Sequence, residues 1–189
     1  MPLETEEAGE PLVVPEPIAE TYPFRERTSS LPTIRPYDRR REMADPELTR
    51  VKKQRRTLAH KDLVAKMDDW LRSIGATPKD NEHVDLFAKI PHDGSFIFEM
   101  KSGGDSILEQ IRKGVSQLYE YRYRYRATID DPNISLCLVL PEAPPIPWII
   151  DYLFNDREIN VCWFEGEGKL VWPALCEQQM RVLAIHDDA

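Results

Sequence analysis

Cysteine is scarce in this chain: three occur in 189 residues, at positions 137, 162 and 176, with unrelated spacings. That scarcity excludes the disulfide framework of a small secreted scaffold and suits a reducing compartment. No apolar run is long enough to span a membrane, and the acidic, proline-rich start lacks the makeup of a signal peptide. A cytoplasmic location is expected by elimination. Basic residues are also short of the acidic ones, 25 against 33, for a formal net charge of −8. This balance looks wrong for a protein that handles nucleic acid, but the sum hides an asymmetry. Residues 1–20 hold six glutamates and no basic residue, whereas 35–56 is dense in arginine and lysine. Net charge therefore neither supports nor excludes nucleic acid, and local patches decide.

What is present is ordinary for a soluble protein: 41% hydrophobic and 31% charged residues, with length enough for one domain and a proper core. Residues 1–46 contain eight of the prolines and little periodicity. They read as an acidic, proline-rich extended or disordered arm, with 11–14 and 22–24 as short apolar anchor points. Residues 47–189 read as the folded domain. A helix is expected from Asp45 as N-cap and Pro46 at its first position to a stop at Gly75. Leu63, Met67, Trp70, Leu71 and Ile74 form its core-facing stripe. Its basic first half suits phosphate contact or plain solvation equally.

Two apolar runs, 84–90 and 95–101, flank Pro91, His92, Asp93 and Gly94, which predicts a β-hairpin with glycine at the left-handed position of a three-residue loop. Period-two alternation puts Ser95, Ile97, Glu99 and Lys101 on one face together with Asp85, Phe87 and Lys89, leaving Phe96, Phe98 and Met100 on the other. Two acids and a lysine on a largely buried strand pair are costly unless matched. A hard divalent cation with oxygen ligands relieves the repulsion between the carboxylates and leaves the lysine to act on a water. A plain cross-strand acid–lysine pair on an edge strand accounts for the same residues.

After Lys101 a breaker cluster with Asp105 or Ser106 as N-cap leads into a helix predicted over 107–126. It carries Arg112, Lys113, Gln117, Tyr121 and Arg124, with Gln117 and Tyr121 four apart on one face. Its run of alternating tyrosine and arginine suits nucleic-acid contact, arginine to phosphate and tyrosine to unpaired bases. Burial of its apolar side with merely solvated arginines is the bland account. Residues 133–140 read as a central strand buried on both faces. A short helix over 148–154, a strand over 159–164 and a last short strand over 169–172 follow, and the end of the chain is undecided. No His–Asp set frames Cys162 as a nucleophile, so it reads as packing.

The arrangement Asp85, then Glu99-Met100-Lys101, then Gln117 and Tyr121 on the following helix resembles the PD-(D/E)XK nuclease superfamily, with Val84 where the family name has proline. The RecB-type branch, marked by a Q-x-x-x-Y helix, is the most similar. That resemblance covers roughly 60–140 and implies a restriction-endonuclease-like α/β fold, a mixed central sheet flanked by helices on both faces. It implies a histidine ligand from the preceding helix, for which His60 stands in the right chain order, with Asp62 and Glu82 as fallback acids. The implied activity is phosphodiester hydrolysis, with DNA as the expected substrate, dependent on Mg²⁺ or Mn²⁺. Asp85 and Glu99 would hold the metal, with His60 and the Met100 carbonyl as further ligands, and Lys101 would orient the attacking water. Gln117 and Tyr121 would brace the site and touch the substrate, with Arg112, Lys113 and Arg124 on the same helix. No recognition domain is visible, so specificity is expected from a homodimer or a partner protein, in the manner of effector subunits of phage-defence or mobile-element systems. A nuclease-fold scaffold without catalysis is the alternative, and an RNA-cleaving enzyme a third reading.

Overall fold

The core is a seven-stranded mixed sheet in the computed structural model, which describes residues 24–27, 46–91, 93–102, 106–166 and 168–185, and only the backbone of 46–56. In chain order the elements are β1 (Arg25–Glu26), α1 (Pro46–Ser73), β2 (Lys79–Asp80), β3 (Leu86–Ile90), β4 (Gly94–Met100), α2 (Ile107–Ile129) and β5 (Ile134–Leu140). Then come α3 (Pro147–Asp151) with a π-helical turn at Tyr152–Asp156, β6 (Ile159–Glu165) and β7 (Lys169–Val171). Short helical turns, among them α4 (Glu177–Met180), end at Leu183. The strands lie side by side in sequence order. The β4–β5 and β5–β6 pairs are parallel and the others antiparallel.

The hairpin forms where the sequence places it. Ile90 pairs with Gly94, Lys89 with Ser95 and Phe87 with Ile97. Gly94 has φ of +100°, a value that a side chain would strain. Gly94 thus opens β4, paired with Ile90, and does not sit inside the loop. β5 is buried along almost its whole length, as its unbroken apolar run requires.

Both long helices end for local reasons. α1 stops in a Schellman turn: the amide of Ala76 donates to the Leu71 carbonyl at 2.9 Å and that of Gly75 to Arg72 at 3.0 Å. Gly75 supplies the left-handed residue at φ +82°. α2 runs one turn past its expected end, because Ile129 extends the buried stripe of Ile111, Gly114, Leu118, Tyr121 and Tyr125. Ser106 occupies its N-cap position without a side-chain capping bond. Asp45, the expected cap of α1, and the basic side chains of 51–56 lie outside the described residues, as does most of the 1–46 arm.

The described part of that arm, 24–27, belongs to the domain. Arg25 and Glu26 pair with Asp80 and Lys79 as the edge of the sheet. Phe24 stacks on Phe87 and against Tyr125, both at 4.9 Å between ring centroids. Arg27 is buried, with Nη1 2.9 Å from Asp80 and Nε 3.7 Å from Asp68. Arg72 closes the cluster by donating to the Arg27 carbonyl at 2.6 Å while pairing with Asp68.

The cysteines, unrelated by spacing, are less scattered in space. Cys137 and Cys162 lie on neighbouring strands with their sulfurs 3.6 Å apart, fully buried, and Cys176 is buried too. Burial pushes the Cys137 thiol well above its ordinary range and raises Cys176, so both are neutral packing groups. Among the described residues no helix is long and apolar enough to cross a membrane.

Candidate active site

The hairpin register carries Asp85 to the place opposite Glu99, since Leu86 already pairs with Phe98. Both acids then share one face of the sheet with Phe87 and Ile97. Asp85, Glu99 and Lys101 are all buried, at 5%, 1% and 9% exposure, so each charge must be answered by neighbours.

The neighbours are the residues singled out in the sequence. Lys101 Nζ donates to Glu99 Oε1 at 2.7 Å and to Gln117 Oε1 at 2.6 Å. Gln117 Nε2 in turn donates to the Tyr121 hydroxyl at 2.8 Å. The strand holds Lys101 in place by its backbone, its amide donating to Val139 at 2.9 Å. A continuous chain therefore runs Glu99–Lys101–Gln117–Tyr121 from the sheet into α2. The four-residue spacing of Gln117 and Tyr121 is what stacks them for it.

On the other side of the hairpin, His60 Nε2 lies 3.3 Å from Asp85 Oδ1. The second Asp85 oxygen accepts the Met100 amide at 3.0 Å. Met100 thus meets Asp85 through its N–H, where the sequence reading used its carbonyl. The fallback acids take no part in this cluster: Asp62 is exposed and paired with Lys66 at 2.8 Å, and Glu82 is exposed.

The remaining α2 residues divide. Tyr121 is 4% exposed, so it braces Gln117 and offers no ring to a substrate, which corrects the expectation that it touches one. Arg112 and Lys113 are exposed on the first half of the helix. Arg124 is engaged with Glu120 at 3.0 Å, an exposed pair one turn apart.

Gly114 is a residue that sequence reasoning passed over. A β-carbon there would sit 2.5 Å from Leu138 Cδ1 and 3.2 Å from Lys101 Cε. Its absence lets α2 press onto the sheet and lets the lysine stem run beneath the helix. The signal was a glycine inside a long helix, where it costs about 1 kcal/mol relative to alanine.

Two carboxylates and an imidazole suit Mg²⁺ or, with the nitrogen donor, Mn²⁺. Among the described residues no three His, Cys, Asp or Glu side chains are grouped so as to hold a metal ion. The donors fit in kind. Binding would draw Asp85 and Glu99 from contacts they make with Met100 and Lys101.

No family model matches this chain, and neither a curated protein nor a solved structure does.

Proposed function

We propose that the chain is a metal-dependent nuclease acting on DNA, with Asp85, Glu99 and Lys101 at its centre. The observation that carries this reading is Lys101, buried beside Glu99 and fixed by Gln117 at 2.6 Å. A buried cation held in one orientation next to an acid is costly for stability alone and useful for aligning a water. Asp85 and Glu99 would hold Mg²⁺ or Mn²⁺, with His60 beside Asp85. The bound ion would polarise a phosphate and acidify its water. The Lys101 ammonium would donate to that water and to the charge developing on the phosphoryl oxygens. Gln117, braced by Tyr121, keeps the ammonium from rotating away. On this reading the sheet is a restriction-endonuclease-like core with helices on both faces. The order of helix, hairpin, helix and parallel strand supports that reading. The protein would be a cytoplasmic effector that takes its specificity from a second copy or a partner, as in phage-defence systems.

The experiment is cleavage of plasmid and single-stranded DNA in Mg²⁺, Mn²⁺ or EDTA, comparing wild type with folded Glu99→Ala and Lys101→Ala. Metal-dependent cutting lost in both variants is the expected result. Cutting that survives both, or that proceeds in EDTA, sinks the proposal.

One observation favours a second reading, a scaffold without catalysis: no three donors are grouped for a metal among the described residues. The Glu99–Lys101–Gln117 chain would then be a buried brace. Such a scaffold binds no divalent ion, which calorimetry decides.

A further inference from the structure

We propose that the outer surface of α2 and the π-helical turn after α3 form a stacking platform for single-stranded nucleic acid. The platform is distinct from the carboxylate cluster. It rests on the nuclease reading only in naming a substrate class for it.

The alternation of tyrosine and arginine in α2 splits in space. Tyr121 and Tyr125 turn into the core, whereas Tyr123 stays outside with 47% of its surface exposed and Tyr119 is only partly buried. Each outer ring carries a guanidinium: Arg122 lies 5.1 Å from the Tyr119 ring centre and Arg126 lies 4.8 Å from that of Tyr123. The two ring–guanidinium units are four residues apart, about 6 Å along the helix. A third unit continues the row, with Arg157 5.2 Å over Tyr152. It is joined to the first by the Tyr119 hydroxyl, which donates to the Arg157 carbonyl. Trp148, 52% exposed, packs edge-on to Tyr152 and ends the row.

A row of planar rings, exposed at Tyr123 and Trp148 and partly buried at Tyr119 and Tyr152, with one cation on each tyrosine, matches a ligand with one planar group and one negative charge per repeat. A single nucleic-acid strand has that form. Its bases stack on the aromatic side chains and its phosphates meet the arginines. Ordinary helix stabilisation would explain one such pair; three in succession on two elements need another reason.

Two further features select a single strand. The α2 part of the row is one wall of a cleft of about 1170 Å³. Asn133 and Gln179, both exposed, also line it, with amide donors and acceptors of the kind that meet base edges. Asp130, Asp131 and Glu158 also line the cleft, where β5 and β6 begin. These carboxylates would repel the second phosphate row of a duplex, while a lone strand can keep its phosphates on the arginine side.

Fluorescence anisotropy in EDTA with a short labelled single strand tests this without any cutting. Wild type, Tyr123→Ala, Arg126→Ala and Arg157→Ala are compared on single-stranded DNA, the same strand as RNA, and duplex DNA. All three positions are exposed, so the variants fold. The expected result is single-strand binding that falls about tenfold in each variant, with the duplex bound more weakly than either strand. The ratio of DNA to RNA affinity names the sugar. Wild type that binds no single strand at low salt, that prefers duplex, or whose affinity the variants leave unchanged would overturn the platform. Binding without metal-dependent cleavage would remove the nuclease reading and keep the platform; cleavage without dependence on these residues would do the reverse.

Discussion

Gly114 and Lys101 leave no room for a methyl group between them: one on the helix would lie 3.2 Å from the lysine Cε, tighter than ordinary van der Waals contact. The lysine can lie flat under α2 and reach both Glu99 and Gln117 because that methyl is missing. Gly114→Ala therefore pits a helix gain of about 1 kcal/mol against overpacking of about 1–3 kcal/mol. A net loss of about 0–2 kcal/mol in urea unfolding is expected. Adding Leu138→Ala removes the 2.5 Å clash, so the double variant should lose less stability than the two single losses summed. Strict additivity would mean that the helix simply moves away.

Lys101 and Glu99 should behave as a unit. Lys101→Met strips a cation from a carboxylate whose side chain is 2% exposed, a loss of about 3 kcal/mol. Glu99→Gln in the same chain should recover much of it, giving a coupling above about 1 kcal/mol in a double-mutant cycle by denaturant unfolding. No coupling would show that the 2.7 Å contact contributes nothing in solution.

Metal should stabilise the fold if the acids hold it. At a hundredfold excess over Kd a single bound ion adds about 2.7 kcal/mol, visible as a rise in Tm. Asp85→Asn and Glu99→Gln should each abolish most of the Mn²⁺-induced rise while remaining folded. A rise retained in both variants would place the ion elsewhere.

The buried Arg27 should clip 24–27 to the domain. Arg27→Ala removes the cation facing Asp68 and Asp80 and should cost about 3 kcal/mol. Hydrogen exchange should then speed up in β1 and β2 before the rest of the sheet. Uniform loss of protection would mean that the clip is part of the global fold.

Asp131 gives a pH signature. The Asn133 backbone N–H, donating to Oδ1 at 2.9 Å, with Lys89 nearby, holds its carboxyl below the ordinary carboxylate value. A lowered folded value means stability that is present above the unfolded pKa and lost as pH falls through the folded one. Asp131→Asn should flatten that acid limb as the pH falls below the ordinary carboxylate range, read from urea midpoints. Parallel curves for the two proteins would assign the limb to other acids.

Much of the site could be read before any coordinates, and the reason is local periodicity. Alternation in the hairpin put Asp85 and Glu99 on one face, and a four-residue spacing aligned Gln117 with Tyr121. What joined the two was not local. The contact between Lys101 and Gln117 joins residues 16 apart on a strand and a helix, and only a family resemblance suggested it. β1 and β2 are two residues each, too short for any pattern to declare. Arg27 meets Asp68 and Asp80 far along the chain, the latter 53 residues away, and Cys137 meets Cys162 because β5 and β6 are neighbours, which spacing does not reveal. Gly114 was visible as a glycine inside a helix, but its partner was not.

The most direct measurement is the Mn²⁺-dependent DNA cleavage rate of wild type beside Lys101→Met, with Mn²⁺ affinity measured calorimetrically on the same samples. The expected result is metal bound by both proteins with similar affinity, and cleavage reduced at least about a hundredfold by the substitution. Cutting by Lys101→Met at the wild-type rate, or wild type that neither binds Mn²⁺ nor cuts, would contradict the assignment of Lys101 and its two carboxylates as a nuclease centre.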